Sequence, residues 1–134
     1  MDMRIEVGLL TRNVLIQGDS TSEETNYGAH LMLHGKAEGG LIGRIEYAEF
    51  RLGGQPLIIG RYPIHFHMNG EVSQSYVRGN SVHDSMARCI TIHGVHFLRV
   101  QNNVGYNARG HNIFLEDGIE TNNLIEGNLI LGSR

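Results

Sequence analysis

The chain has 134 residues, 40% of them hydrophobic, and a formal net charge of −3 with neutral histidines. These values predict one folded domain and exclude the composition of a disordered segment. No basic stripe indicates a nucleic-acid partner, and no apolar run reaches the ~18 residues of a membrane span. The single cysteine, Cys89, excludes an internal disulfide, and we interpret it as a small apolar filler.

Two short strand patterns alternate along the chain, which we call set B and set A. In chain order they are LTRNVL (10–15, B), HLMLHG (30–35, A), IEYAEF (45–50, B), IHFHMNG (64–70, A), VRGNSV (77–82, B), ITIHG (90–94, A), VQNNVG (100–105, B), IFLEDG (113–118, A) and IEGNLI (125–130, B). Asparagine is fourth in every B segment except one, at Asn13, Asn80, Asn103 and Asn128, with Ala48 as the exception. Glycine follows each A strand, where we expect the chain to turn.

Short strands that recur every ~20–25 residues, with Gly and Asn at the corners, are typical of a parallel β-solenoid. We therefore predict an all-β, single-stranded parallel β-helix of about four coils, formed by residues 1–134 as one domain. An antiparallel sandwich of similar short strands is the alternative. We expect the domain to be a fragment of a larger protein, incomplete at both ends.

Alternation of side chains along a strand divides the A strands into two faces. The apolar side chains share one parity and are predicted to point inward: Leu31, Leu33, Ile64, Phe66, Ile90, Ile92, Ile113 and Leu115. The other parity then faces outward, and stacking of the coils places His34, His67, His93 and Glu116 in one column. His65 and Thr91 fall in the adjacent column. We expect these outward side chains to face solvent or a ligand.

Three interpretations of this outward strip remain open. The first is a catalytic groove, in which arginines bind a polyanionic chain. The second is a metal site, in which His65, His67, His93 and Glu116 bind zinc or another divalent ion. The third is a solvated sheet face, on which polar side chains hydrogen-bond to one another.

Several long motifs resemble one known family. They are RYPIHFHMNGE (61–71), SYVRGNSVHDSMARCITIHG (75–94), VGYNARGH (104–111) and FLEDGIE (114–120), with VGLLTRNVLIQGD (7–19) and GAHLMLH (28–34) near the start. They resemble the β-helical core of the cell-surface and cell-migration-inducing hyaluronidases, with the fibrocystin-like proteins as relatives. The resemblance implies a right-handed parallel β-helix in an extracellular setting, flanked by other domains. Resemblance to the hyaluronidases implies calcium-linked degradation of hyaluronan, whereas resemblance to the fibrocystin-like proteins implies a receptor. At Asn112 the chain departs from these hyaluronidases, which tend to have a cysteine there.

If the full-length protein is an enzyme, a hyaluronan-type glycoside hydrolase is the favoured activity. Glycosidic hydrolysis needs a carboxylic acid and a second group that activates water. The predicted catalytic residues are His65, His67, His93, Glu116 and Asp117. The predicted substrate-binding residues are Arg61, Arg88, Arg109, Tyr106 and His111, since an arginine fork suits the carboxylates of an anionic polysaccharide.

A uronate lyase reaction is a close variant, and calcium is a possible cofactor around Asp117 and Glu120. The alternative function is a non-catalytic β-helix scaffold or a glycan-binding segment of a fibrocystin-like receptor.

Overall fold

The computed structural model describes residues 3–35 and 41–134, which are built almost entirely from short β-strands. The one helix in these ranges, α1, has four residues, so no described helix is long enough to cross a membrane. The elements in chain order are β1 (Val14–Gln17), α1 (Ser22–Thr25), β2 (Leu31–His34), β3 (Arg44–Glu46), β4 (Ala48–Arg51), β5 (Ile64–Glu71), β6 (Tyr76–Arg78), β7 (Ser81–His83), β8 (Ile90–His96), β9 (Arg99–Gln101), β10 (Val104–Ala108), β11 (Ile113–Leu115), β12 (Leu124–Glu126) and β13 (Leu129–Ser133).

The strands stack into three sheets that wind around one core. Sheet 1 has the order β1-β4-β7-β10-β13, sheet 2 the order β2-β5-β8-β11, and sheet 3 the order β3-β6-β9-β12. Each strand pairs in parallel with the strand one coil before or after it in the same sheet. The predicted parallel β-helix of about four coils is therefore confirmed, with the A strands forming sheet 2.

The core contains most of the apolar side chains that the alternation predicts, but Leu115 is 43% exposed, because β11 is the end strand of sheet 2. Ile64 and Phe66 of β5 and Ile90 and Ile92 of β8 are buried in one hydrophobic cluster with side chains from the other two sheets. Each such side chain contributes about 1.5–3 kcal/mol by leaving water. Cys89 is buried beside them, and burial raises the pKa of its thiol to about 12, as expected for an unreactive filler.

An asparagine ladder runs along the corner between sheets 3 and 1. The Asn80 backbone N–H donates to Asn103 Oδ1 (3.0 Å), and the Asn103 N–H donates to Asn128 Oδ1 (2.9 Å). Ala48 continues the ladder by donating its N–H to Asn80 Oδ1. The predicted alignment of Asn13 with Ala48 is wrong by one residue, because Val14 pairs with Ala48.

The glycines of the A pattern were predicted to follow the strands, but only Gly35 and Gly118 do so. Gly70 and Gly94 lie within β5 and β8, which continue to Glu71 and His96. All four have positive φ, a conformation that is unfavourable for residues with a Cβ. At Gly94 a Cβ would also lie 2.7 Å from Met68 Sδ, in the bulge of β5. Before this bulge, β5 and β8 pair in step, so that His67 lies beside His93.

Candidate functional site

The site lies on the outer face of sheet 2, where the predicted column is present. His34 pairs with His67, and His67 pairs with His93. Leu115 pairs with Ile92, and the Glu116 N–H donates to the Ile92 carbonyl, so Glu116 follows as the next member. The inward parity of Ile92 holds this register, because a slip by one residue would move the core side chains to the outside.

The adjacent column is covered, contrary to the expectation that it faces solvent. His65 is 1% exposed and Thr91 is fully buried. The segment 52–63 covers His65, since His65 Nδ1 lies 2.9 Å from the Gly60 carbonyl oxygen and the Tyr62 ring lies 5.1 Å from the His65 ring. The prediction was wrong because the alternation of strand side chains does not show what a neighbouring loop covers.

Three histidines and one glutamate meet at the edge of this cover. His67 Nδ1 and His93 Nδ1 are 3.0 Å apart. Glu116 Oε2 lies 3.6 Å from His93 Nδ1 and 3.9 Å from His65 Nε2. Within residues 3–35 and 41–134, neither His65 Nε2 nor Glu116 Oε2 has a hydrogen-bond partner, although both atoms are buried. Buried polar atoms in native structures are nearly always bonded, so these two indicate a place for a ligand.

Neighbouring side chains hold His93 and Glu116 in position. His93 Nε2 lies 3.2 Å from Asp117 Oδ2. Arg88 donates to Glu116 Oε1 (3.0 Å) and to the Tyr62 hydroxyl (2.8 Å). The Arg88 guanidinium also stacks on the Phe114 ring at 3.9 Å. Glu116 is thereby oriented with one oxygen on Arg88 and the other toward the histidines.

The environment favours neutral imidazoles at two of the three histidines. Burial lowers the pKa of His65, and the nearby His67 and His93 lower it further, against the Gly60 carbonyl and Glu116. Burial also lowers the pKa of His67, followed by the effects of His93 and His34. Neutral imidazoles can accept a proton or bind a metal ion.

The predicted substrate-binding residues are divided between several places. Arg88, Arg109 and His111 line one groove of about 270 Å³ with Tyr62 and the loop 56–59. Arg61 lies outside this lining, and its guanidinium is 2.8 Å from His30 Nε2. Tyr106 is on β10 in sheet 1, paired with His83, and the structure does not bring it to the groove.

A second histidine cluster on sheet 1 was not identified from the sequence. His83 Nε2 lies 3.1 Å from Glu49 Oε1, and His83 Nδ1 lies 2.8 Å from Asp84 Oδ2. Glu49 also accepts the Arg12 backbone N–H, and Asp84 accepts from the Asn107 amide. His83 and Asp84 are adjacent in the sequence, but Glu49 is 34 residues away from His83 and becomes its neighbour only through the β4–β7 register.

The fold and the site define a parallel β-helix protein with a histidine–carboxylate cluster beside an arginine-lined groove. A family comparison is more specific, since residues 26–134 match the model described as CEMIP beta-helix. The chain therefore belongs to the CEMIP β-helix family, as its motifs predict.

Comparison with curated proteins gives relatives with different names. The chain is 40% identical over 129 residues to a G8 domain-containing protein of Dictyostelium discoideum. It is 39% identical over 147 residues to human cell surface hyaluronidase CEMIP2, and 36% identical over 163 residues to human Fibrocystin-L. Each match covers 96% of this chain but only 8%, 10% and 4% of the respective relative. The chain thus spans a tenth or less of the length of these proteins.

Proposed function

We propose that this chain is the β-helical core of an extracellular protein that binds and cleaves an anionic polysaccharide of the hyaluronan type. The observation that carries the proposal is the contact between the histidine–carboxylate cluster and the arginine-lined groove. Tyr62 and Arg88 belong to both, because they line the groove and also contact His65 and Glu116. A chain bound in the groove therefore lies next to the cluster. The relative named a cell surface hyaluronidase supports both the substrate and the location.

Arg109 is the best candidate in the groove for binding a uronate carboxylate. Among the described residues, its guanidinium has only long contacts, 3.7 Å to Glu23 Oε1 and 3.4 Å to Asn26 Oδ1. Arg88, in contrast, is engaged by Glu116 and Tyr62. We therefore assign binding of the anionic chain to Arg109, with His111 beside it, and assign Arg88 to positioning Glu116. An arginine fork binds a carboxylate through two parallel hydrogen bonds.

The cluster contains the groups that hydrolysis requires. Water attacks the anomeric carbon, the bond to the glycosidic oxygen breaks, and the leaving oxygen takes a proton from an acid. The neutral imidazoles accept the proton of the attacking water. Protonated Asp117 is the candidate acid, because its side chain, 39% exposed against 16% for Glu116, can be reached by the leaving oxygen. Glu116 stabilises the positive charge that develops on the imidazoles.

The test is the chain length of hyaluronan after incubation with the protein, with and without calcium. We expect shortening that the Glu116→Gln variant loses by roughly 100-fold or more, because Glu116 supports the imidazole base and general base catalysis contributes a factor of that order. Glu126→Gln is the matched control, because Glu126 lies on β12 in sheet 3 and contacts Gln101. Unsaturated uronate ends among the products would identify elimination in place of hydrolysis. Equal cleavage by wild type and Glu116→Gln would contradict the assignment.

A second function is glycan binding without cleavage. The observation that favours it is the near-equal similarity to Fibrocystin-L, whose name states no enzyme activity, at 36% identity against 39% for CEMIP2. In that case, hyaluronan binding depends on Arg109 and is unchanged in Glu116→Gln. Measuring hyaluronan binding and cleavage by Arg109→Ala and by Glu116→Gln separates the two functions.

A further inference from the structure

We propose that His65, His67, His93 and Glu116 form a binding site for one divalent transition-metal ion of the zinc type. The proposal concerns the same side chains as the proposed polysaccharide site, but it does not depend on any catalytic activity. It rests on where the nitrogen lone pairs point, on the distances between the four ligand atoms and on the groups that hold them.

The hydrogen bonds around the histidines direct their free nitrogens to one point. The Gly60 carbonyl can only accept, so His65 Nδ1 carries its proton toward Gly60 and His65 Nε2 has the lone pair. Asp117 Oδ2 lies 3.2 Å from His93 Nε2, and a proton on this nitrogen would leave the lone pair on His93 Nδ1. A carbonyl or carboxylate behind an imidazole is the arrangement found at most histidine-bound metals, and two of the three histidines have one.

The distances suit a tetrahedral ion. Metal–nitrogen bonds of about 2.0–2.1 Å place the ligand atoms of such a site about 3.3–3.4 Å apart. The observed separations lie on both sides of this value: 3.0 Å for His67 Nδ1 to His93 Nδ1, 3.6 Å for His93 Nδ1 to Glu116 Oε2, and 3.9 Å for His65 Nε2 to Glu116 Oε2. The ligand atoms of the three histidines all lie within 4.8 Å of one another.

Two buried atoms without hydrogen-bond partners in the described part of the chain support the metal site independently of the distances. Among the described residues, His65 Nε2 and Glu116 Oε2 have no hydrogen-bond partner, and His65 is 99% buried. A metal ion would bond both atoms at once and would replace the proton shared by His67 and His93. The net cost of leaving these groups unbonded is thereby removed.

The donor set selects the kind of metal. Three imidazole nitrogens and one carboxylate oxygen suit zinc, cobalt, nickel or copper, whereas calcium requires six to eight oxygen ligands. Glu120 adds at most one oxygen to such a set, because its Oε1 accepts the backbone N–H groups of Gly94 and Asp117 and only its Oε2 is unbonded among the described residues. We therefore expect the site to discriminate against calcium and magnesium.

The test is titration of the metal-stripped chain with Zn²⁺ by calorimetry, and with Co²⁺ by visible absorption. We expect one ion per chain and the absorption of tetrahedral Co²⁺, with no displacement by excess calcium. His67→Ala and His93→Ala should weaken Zn²⁺ binding by at least ~100-fold, and Asp117→Asn by about 10- to 100-fold, as for other residues behind a metal ligand. His96→Ala is the matched control, since His96 contacts Thr121 outside the cluster, and it should bind as wild type does.

The proposal is overturned if the folded wild-type chain binds no zinc, or if His96→Ala weakens binding as much as His93→Ala. Circular dichroism of each variant shows that it is folded. Zinc binding without hyaluronan cleavage would support the metal site and contradict the catalytic function. Cleavage that persists in a chain that binds no zinc would do the reverse.

Discussion

Two histidine clusters of the same residue types lie on different sheets of this β-helix, and they differ in whether their hydrogen bonds are complete. On sheet 1, both ring nitrogens of His83 have carboxylate partners, Glu49 and Asp84. On sheet 2, His65 Nε2 and Glu116 Oε2 are buried without partners among the described residues. The sheet 1 histidine is therefore part of a completed network, whereas the sheet 2 cluster has two unbonded atoms, to which we assign a ligand. Composition alone does not distinguish them.

The comparison predicts the largest stability loss on sheet 1. His83→Ala leaves Glu49, 7% exposed, without its imidazole partner, and His83 itself is 7% exposed. We expect the free energy of unfolding to fall by about 1–3 kcal/mol, the cost of leaving a buried polar group unbonded. Urea unfolding followed by circular dichroism measures this change.

The matched variant on sheet 2 is His93→Ala in the metal-free chain. The His93 side chain is 21% exposed, against 8% for His83, so water can replace part of the contacts that its removal breaks. We expect a smaller loss than in His83→Ala. Equal losses in the two variants would show that both clusters are structural, and would end the comparison.

Sheet 1 is predicted to contribute to the acid sensitivity of stability. Burial opposes ionisation of Glu49, but the Arg12 N–H and His83 outweigh it and lower the pKa of Glu49. The pKa of Asp84 is lowered in the same way, with burial overcome by Asn107 and His83. Both carboxyl groups release their protons more readily in the folded state than in the unfolded state. Their contribution to the free energy of unfolding is therefore complete above the unfolded pKa values of about 4, and it is lost as the pH falls through the lower folded pKa values.

Urea unfolding across this pH range measures the effect. The slope of stability with pH should flatten in a Glu49→Gln, Asp84→Asn double variant. An unchanged slope would locate the acid-sensitive groups elsewhere.

Sequence reasoning predicts the sheet 2 column well because strand parity and coil stacking are both periodic. His34, His67, His93 and Glu116 take their register from the apolar residues between them. The covering of His65 was not predictable, because the segment 52–63 has no periodicity and its contact depends on the single Gly60 carbonyl.

The remaining differences also have local causes. Glu49 and His83 meet diagonally across β4 and β7, which no spacing in the chain specifies. Asn13 matches the residue type of the ladder but lies one residue before the ladder position. A residue pattern thus locates a corner to within about one residue, whereas only the pairing register fixes it.

A change behind His65 sharpens the comparison on sheet 2. Gly60 has φ +87°, so Gly60→Ala introduces backbone strain of about 1 kcal/mol. The strain shifts the carbonyl that orients His65, and we expect weaker zinc binding together with this modest loss of stability. Gly118→Ala is the control, because Gly118 also has positive φ and has open space around it. It should lose similar stability and retain zinc binding. Equal loss of zinc affinity in both variants would remove the role of the Gly60 carbonyl.

The smallest effect is expected on sheet 3, where an ion pair of good geometry is exposed. Arg78 Nε lies 2.7 Å from Glu46 Oε2, shorter than the contacts of the histidines in the two clusters, but the side chains are 46% and 36% exposed. Water and salt screen such an ion pair, so it contributes little to the free energy of unfolding. Glu46→Gln should therefore leave the urea midpoint unchanged within error, at low and at high salt. A shift as large as that of His83→Ala would mean that short contacts matter more than burial in this β-helix. The difference between the sheet 1 and sheet 2 clusters would then have to be sought in their distances, and the unpaired atoms on sheet 2 would lose their significance.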